Sequence, residues 1–279
     1  MAKLSTLISF AFGAKQCLDS LRPDWDVMLD SGAFTNWSTG KEVVSRDAYR
    51  EFLLEHGKRY GHYLNLDKIG DPDASRTNLE HLQGEGLAPV PVFQRGAPRQ
   101  ELERLLQEHE LVAIGGISKT PQAKAEQHYL RQCMSISRGH KVHLLGVGWR
   151  PILTYRPWSA DSATFAQVQM YGTLQLWHGM KWVSFSKAPT NQKSRGRYVQ
   201  PDTKRTSALR AYGLTWESLR DPEAWKKEGV VCIAGIRSWI RFANYARKRL
   251  DTRVVFVDHY RVHGALTTAW EKEKDQWKN

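Results

Sequence analysis

Three aspartates in this sequence come directly after short apolar or small-residue runs. Asp30 follows Val-Met-Leu, Asp67 follows Leu-Asn-Leu, and Asp161 follows Ser-Ala. If these runs are strands that end at one site, two carboxylates there could divide the roles of nucleophile and general acid–base in the cleavage of an N-glycosidic bond. The third could accept hydrogen bonds from the N–H edge of a purine. The residue types therefore suggest chemistry on a nucleobase.

Asp30 also has a plainer interpretation. The sequence Asp30-Ser31-Gly32 is typical of a turn in which the aspartate accepts a hydrogen bond from the backbone. The functional interpretation depends on further residues at equivalent strand ends, and Gln94 and the Gly115-Gly116 pair are such residues. A glycine pair lets backbone amides and carbonyls approach a flat base closely.

Alternating strands and helices are needed to bring these residues together. Short apolar runs recur along the chain, the seventh at 159–165 and the eighth at 182–185, and helical patterns lie between several of them. About eight such units predict an α/β fold, a TIM-like (β/α)8 barrel with a parallel sheet. The carboxyl ends of all the strands in such a barrel converge on one mouth, so the three aspartates would meet there.

The composition indicates the partner and the setting. The 279 residues include 41 Lys and Arg against 29 Asp and Glu, and the net charge of +12 favours a nucleic acid over a membrane surface. No run approaches the roughly 18 apolar residues of a membrane span, so no membrane partner is predicted. The three cysteines have neither disulfide nor zinc-site spacing, which favours the cytoplasm, and Cys133 and Cys232 fall in core-like patterns.

The charge is distributed unevenly, and we predict a barrel core over residues 1–190 with a basic segment over 191–279 packed on it. The stretch from Lys181 to Arg210 contains a single acid, Asp202. A second basic cluster, from Arg237 to Arg249, lies on a predicted helix, and tryptophans near both clusters could either stack on an extruded base or pack in the core. The predicted contacts to a nucleic-acid backbone are Lys187, Lys193, Arg195, Arg197, Lys204 and Arg205.

No metal or cofactor site is predicted. The segment Gly146-Val147-Gly148 lacks the third glycine of a dinucleotide loop. His140 and His143 have no Cys or carboxylate at a metal-binding spacing, and the pair His259 and His263 lacks an identifiable third ligand.

Six short motifs resemble those of the tRNA-guanine transglycosylases. They occur in the order found in that family, over roughly residues 25–165. The corresponding family segments are Asp-Ser-Gly-Gly-Phe, Phe-Asp, Val-Gln-Gly-Gly, Gly-Gly-Leu, Leu-Met-Gly-Val-Gly and the nucleophilic aspartate. In this chain they are Asp30-Ser31-Gly32-Ala33-Phe34, Leu66-Asp67 with Pro72 after it, Val92-Phe93-Gln94-Arg95-Gly96, Ala113-Ile114-Gly115-Gly116-Ile117, Leu144-Leu145-Gly146-Val147-Gly148, and Asp161.

The resemblance implies a role for each matching residue. Asp161 would be the nucleophile that attacks C1′ of the target nucleoside, and Asp30 would be the acid–base that handles the base. Asp67 would read the purine edge. The remaining residues implied in substrate binding are Ser31, Gly32, Phe34, Gln94, Gly115, Gly116 and Ile117.

The chain departs from the tRNA enzymes in two respects. It lacks their C-terminal Cys-x-Cys-x-x-Cys and His zinc pattern, and it is shorter, with basic segments in the corresponding region. It thus resembles the compact phage members of the DpdA-type transglycosylases. This resemblance implies that the polymer is DNA, that a free 7-deazaguanine base is the second substrate and that no cofactor is needed. For a phage-encoded chain it also implies a location in the host cytoplasm. The zinc region also forms the dimer interface of the tRNA enzymes, so a monomer is favoured here. The same exchange on tRNA, and a non-catalytic nucleic-acid-binding subunit, remain alternatives.

Overall fold

The computed structural model describes residues 3–117, 123–166, 168, 171–186 and 202–277. Within these residues the strands are β1 (Leu4–Ser9), β2 (Trp25–Asp30), β3 (His62–Tyr63), β4 (Val92–Phe93), β5 (Leu111–Ile114), β6 (Lys141–Leu144), β7 (Ser159–Ser162), β8 (Thr173–His178), β9 (Lys181–Ser186) and β10 (Arg253–Asp258). The α-helices are α1 (Ala14–Asp19), α2 (Ala33–Thr39), α3 (Arg46–His56), α4 (Pro72–Gly84), α5 (Arg99–Glu108), α6 (Ala123–Ile136), α7 (Trp149–Tyr155), α8 (Thr203–Arg210), α9 (Val230–Leu250) and α10 (His263–Glu273).

Eight of these strands form one curled parallel sheet in the order β3-β2-β1-β10-β7-β6-β5-β4. A parallel bridge between Leu64 and Val90 joins the two ends of that order. Helices lie between most successive strands, as a parallel sheet requires for its crossovers. The α/β class and the TIM-like barrel predicted from the sequence are therefore confirmed.

The eighth strand of the barrel is not the one predicted. The 182–185 run lies in β9, which pairs antiparallel with β8 in a separate two-stranded sheet. Gly179 and Met180 connect the two strands, and both have φ of 57°. A two-residue turn with positive φ at both positions reverses the chain at once, so it cannot lead into a parallel strand. The eighth position belongs to β10, which pairs with β1 and β7.

The chain divides into two compact units. The first, here called the barrel unit, comprises Lys3–Ser162 and Leu250–His259. The second, the C-terminal unit, comprises Ala163–Arg249 and Tyr260–Asn279. This division differs from the predicted boundary at residue 190, because a strand close to the end of the chain completes the barrel sheet.

An apolar cluster occupies the interior of the barrel unit. Side chains alternate between the two faces of a strand, so a residue two positions beyond a cluster member faces the same interior. This alternation directs Ser9, Asp30, Gln94 and the Cα of Gly115 inward at the carboxyl ends of their strands. The buried cluster members are Leu7, Met28, Leu64, Val90, Val92, Leu111, Ala113 and Val255.

At the opposite, amino-terminal end of the barrel, the half-buried Trp158 packs against the interior cluster. The guanidinium of Arg253 lies 4.7 Å from the centroid of this indole, and the ring of His62 meets it edge-on at 5.6 Å. Arg253 also lies 3.7 Å from the carboxylate of Asp26. Packing at the amino-terminal face of such a barrel serves stability, and the active sites of such barrels lie at the opposite face.

The C-terminal unit is organised around α9. Its Trp239 and Phe242 pack with Trp182 of β9 at ring-centroid distances of 5.0 and 5.1 Å. On another side of α9, Arg237 and Arg241 both bind the fully buried carboxylate of Glu273, at 2.7 and 2.9 Å. The predicted helix is confirmed, but these two arginines are engaged within the unit. The tryptophans at 225, 239 and 270 are buried, as the core interpretation predicted.

The described residues contain no helix with the length and apolarity required to cross a bilayer. Cys17, Cys133 and Cys232 are buried, and the core positions predicted for Cys133 and Cys232 are confirmed.

Candidate active site

Asp30 ends β2 and faces the barrel interior, two residues beyond Met28 of the apolar cluster. The backbone N–H of Gly32 donates to its Oδ2 at 3.1 Å. Gly32 has φ of 89°, and a Cβ at this position would lie 2.9 Å from the Cβ of Ala11, so only glycine fits this turn. Asp30 therefore caps the turn, as its plainer interpretation predicts, and it also presents a carboxylate at the mouth.

Asp161 faces the same interior from β7. It pairs in register with Val255 of the apolar cluster, and its side chain is almost fully buried. Its Oδ1 accepts a hydrogen bond from the backbone N–H of Gly146 at 2.9 Å and lies 3.3 Å from Nε2 of His143. Both contacts fall on the same oxygen, which leaves Oδ2 as the oxygen that can face a ligand.

His143 is completely buried in β6, between Ala113 of β5 and Ser159 of β7. Its Nδ1 lies 2.7 Å from Oγ of Ser159. If the serine hydroxyl donates to Nδ1, the ring proton is on Nε2 and is directed towards Asp161. The contact of Nε2 with Asp161 is within ion-pair distance, although it lacks hydrogen-bond geometry in this structure. No partner for His143 could be predicted from the sequence, because Asp161 is distant in the chain and meets it only across neighbouring strands.

Ser159, His143 and Asp161 are the residue types of a hydrolytic triad, but their placement argues against a serine nucleophile. Ser159 is only 1% exposed and precedes Asp161 by two positions on β7, which places it deeper in the barrel. A nucleophilic serine must reach the substrate. Of the three residues, Asp161 lies closest to the mouth. His143 and Ser159 lie deeper in the barrel, where Ser159 contacts His143 and His143 contacts Asp161.

Asp30 interacts electrostatically with Asp161 and with Asp67. Burial raises the pKa of Asp30, and the charge of Asp161 raises it further, whereas contacts with the Ser9 hydroxyl and the Gly32 amide lower it. Burial followed by the charge of Asp30 raises the pKa of Asp67 to about 7. Asp30 thus lies within electrostatic range of both other carboxylates, and Asp30 and Asp67 favour the protonated form more than a free aspartate does.

Gln94 is buried at the end of β4, and part of its hydrogen-bonding capacity is already used. Its Oε1 accepts from the backbone N–H of Gly70 at 3.2 Å, which fixes the loop that follows Asp67. Its amide nitrogen remains as the donor that could meet an acceptor on a ligand.

The glycine pair lies at the end of β5 in close contact with its neighbours. The N–H of Gly115 donates to Phe93 O at 2.8 Å, and its carbonyl accepts from the Tyr129 hydroxyl at 3.0 Å. Gly116 has φ of 71°, and a Cβ there would lie 2.7 Å from the Cβ of Arg95. Gly115 therefore serves the sheet, and backbone contacts to a ligand fall to Gly116 and the half-buried Ile117.

Ser31 and Phe34 differ sharply in exposure. Ser31 is 1% exposed, and its hydroxyl has no hydrogen-bond partner among the described residues. Phe34 is 64% exposed on α2, where its ring centroid lies 5.6 Å from that of the 59%-exposed Trp37. Phe34 thus lies on the rim of the mouth, and Trp37 beside it is a candidate residue that was not predicted from the sequence.

A fourth carboxylate, Asp258, ends β10 and is fully buried. Val257, the preceding residue, packs against the interior cluster, so Asp258 faces the opposite side of its strand. It is not part of the mouth group. Among the described residues no three His, Cys, Asp or Glu side chains are placed to hold a metal ion.

Two of the six predicted nucleic-acid contacts, Lys204 and Arg205, lie within the described residues. Lys187, Lys193, Arg195 and Arg197 lie outside the described residues. Lys204 is exposed on α8, and Arg205 forms an ion pair with the N-cap residue Asp202. Part of the charge of Arg205 is therefore neutralised locally.

Comparisons of the chain with protein-family models, with curated proteins and with solved structures found no match in any of the three.

Proposed function

We propose that the chain is a base-exchange transglycosylase that replaces guanine in DNA with a 7-deazaguanine derivative, such as 7-cyano-7-deazaguanine. The observation that carries the proposal is the placement of Asp30 and Asp161 on the inner face of one barrel mouth, with Asp30 in electrostatic range of both Asp161 and Asp67. The exchange needs a nucleophile, an acid–base and a group that reads the base, and three coupled carboxylates can supply all three.

In the first step, Oδ2 of Asp161 attacks C1′ and the C1′–N9 bond of the target guanosine breaks. This leaves a covalent glycosyl ester on the enzyme. The N–H of Gly146 donates to Oδ1 at 2.9 Å and so orients the attacking oxygen, and Nε2 of His143, 3.3 Å from Oδ1, is placed to donate to it in the reacting complex.

Asp30 is the proposed acid–base. Guanine is a poor leaving group as an anion, so a positioned acid must deliver a proton as the bond breaks. The raised pKa of Asp30 favours the protonated form that this step requires. In the second step the resulting carboxylate removes the proton from the incoming 7-deazaguanine, whose nitrogen attacks C1′ and displaces Asp161. Two inversions retain the β-configuration, and no cofactor is required because one N-glycosidic bond replaces another.

Asp67 and Gln94 are proposed to select the base. An ionised Asp67 accepts hydrogen bonds from N1–H and the exocyclic amine of guanine, which adenine cannot offer in the same pattern. The amide nitrogen of Gln94 and the backbone of Gly116 and Ile117 contact the O6 edge and the 7-substituent. The preference for DNA over tRNA comes from the resemblance to the compact phage enzymes, and a duplex target must be flipped out at a cost of a few kcal/mol.

His143 gives a specific prediction for the first step. Replacing it with leucine removes the donor at Nε2, and we expect the rate of covalent adduct formation to fall about 10²-fold with little change in the apparent affinity for DNA. Glutamine can place an amide N–H near the position of Nε2, so His143→Gln should recover much of the loss. Single-turnover adduct formation with each purified variant measures this. Equal losses in both variants, in proportion to lost folded protein, would assign His143 a packing role only.

The polymer and the reaction are tested together. The chain is incubated with DNA or tRNA carrying radiolabelled guanine, with and without a free 7-deazaguanine base, and then examined for denaturation-resistant adducts and released guanine. We expect both signals with DNA. Activity on tRNA alone would show that the substrate is tRNA and not DNA. Binding of either polymer without adduct formation or base exchange would support a non-catalytic nucleic-acid-binding subunit.

A further inference from the structure

Four exposed cations lie on the loops at the carboxyl ends of the barrel strands. Lys41 follows β2 and α2, Lys68 follows β3, Arg95 follows β4, and Arg150 follows β6 at the start of α7. Because these loops meet at one face of a TIM-like barrel, the four side chains surround the mouth that contains the carboxylates. Arg95 lowers the pKa of Glu126 through its charge, and the guanidinium of Arg150 lies 5.1 Å from the ring centroid of its neighbour Trp149.

The same rim carries two exposed aromatic side chains. Phe34 and Trp37 are 64% and 59% exposed on α2, which begins three residues after Asp30. Large aromatic side chains are normally buried, so an exposed pair at a site entrance indicates a surface that contacts a flat or apolar partner. Cations that can bind phosphates beside rings that can stack on bases are the two components of single-strand nucleic-acid recognition.

We propose that this rim is the nucleic-acid-binding surface of the barrel unit. Lys41, Lys68, Arg95 and Arg150 hold the phosphates on either side of the target nucleotide, and Phe34 and Trp37 stack on the unpaired bases next to it. The inference rests on the proposed function, for which it names the surface that holds the polymer. It also places the contacts on the barrel itself, in addition to the basic segment predicted from the sequence.

The experiment measures how the affinity for a fluorescently labelled single-stranded DNA depends on salt. Changing the four rim cations together to glutamine should lower the slope of log affinity against log salt by about 3, since each phosphate contact on a single strand contributes about 0.7. A matched control changes Lys3, Lys58, Arg59 and Arg138, which are also exposed but lie at the opposite ends of the strands. This control removes the same four charges from the net +12 and should leave the slope nearly unchanged.

Trp37→Ala tests the stacking component separately. We expect it to weaken binding about tenfold at fixed salt without changing the slope, since stacking on a base is not an ionic contact. Equal slope losses in the rim and control variants would reduce the effect to net charge and overturn the proposal, as would an unchanged slope in the rim variant. The outcome does not depend on catalysis. A rim-specific loss of slope in a chain that forms no adduct would leave this surface standing and reject the base exchange.

Discussion

Asp161→Asn is expected to abolish the covalent adduct and to lower base exchange by about 10⁴-fold or more, because the carboxylate oxygen that attacks C1′ is replaced by an amide. The substitution keeps the volume of the side chain, and the amide oxygen can still accept from the N–H of Gly146. The fold should therefore persist. Denaturing electrophoresis of the protein with labelled DNA measures the adduct, and release of labelled guanine measures the exchange.

Asp258→Asn is the matched control. Asp258 is also a buried aspartate at the carboxyl end of a barrel strand, but it faces away from the interior that holds Asp161. Any loss of stability should lower the amount of folded protein without removing the adduct from the protein that remains folded. An Asp161→Asn variant that still forms the adduct would show that the nucleophile is misassigned. Loss of the adduct in both variants would show that the direction in which the side chain faces does not distinguish the nucleophile Asp161 from the control Asp258.

The aspartates at the mouth were predictable from sequence because the information is local. Asp30 follows an apolar run and precedes a Gly-containing turn, and a strand that ends in a loop brings such a residue to the mouth of a parallel barrel. The same local logic applies to Gln94 and Asp161. What the sequence could not supply was the direction of each side chain, which depends on the register between strands.

Features that depend on pairing between distant segments could not be predicted. The run in β10 is apolar, but nothing in it indicates that it pairs with β1 and β7. The contact of His143 with Asp161 and the double ion pair of Glu273 with Arg237 and Arg241 likewise join residues far apart in the chain. An inward-facing histidine within an apolar strand was the one available signal for His143, since a buried polar group requires a partner.

Asp67→Asn is expected to stabilise the folded chain at pH 8 while lowering base exchange by about 10³-fold. Burial and the charge of Asp30 raise the pKa of Asp67 to about 7, so the folded chain binds this proton more tightly than an unfolded chain with a pKa near 3.8. As the pH rises from about 4 to about 7, the unfolded chain ionises freely while the folded chain resists ionisation. The group therefore costs stability in that window, and the full cost remains above it.

The asparagine variant removes this cost because it is neutral at every pH. Asp67 is partly exposed, and solvent screening reduces the expected gain in the free energy of unfolding at pH 8 to the order of 1–3 kcal/mol. At pH 4 the two proteins should differ little, since the folded form of Asp67 is protonated and the pH is still close to the unfolded pKa of 3.8, so little of the cost has yet accumulated. Denaturant unfolding at pH 4, 6 and 8 gives the comparison. A gain that is equal at all three values would indicate a change in packing and would contradict the raised pKa.

The functional loss follows from the same carboxylate. The N1–H and exocyclic amine of guanine require an ionised acceptor, so binding of the base should release a proton and strengthen as the pH rises from 6 to 8. In the Asp67→Asn variant one of these donors faces an amide N–H, and a buried unpaired donor discriminates strongly against binding. The affinity of the variant for the free base should therefore be low and nearly independent of pH. Titration of the free base into both proteins at pH 6, 7 and 8 measures these affinities. A wild-type affinity that does not change with pH would reject Asp67 as the residue that binds the N1–H edge of the purine.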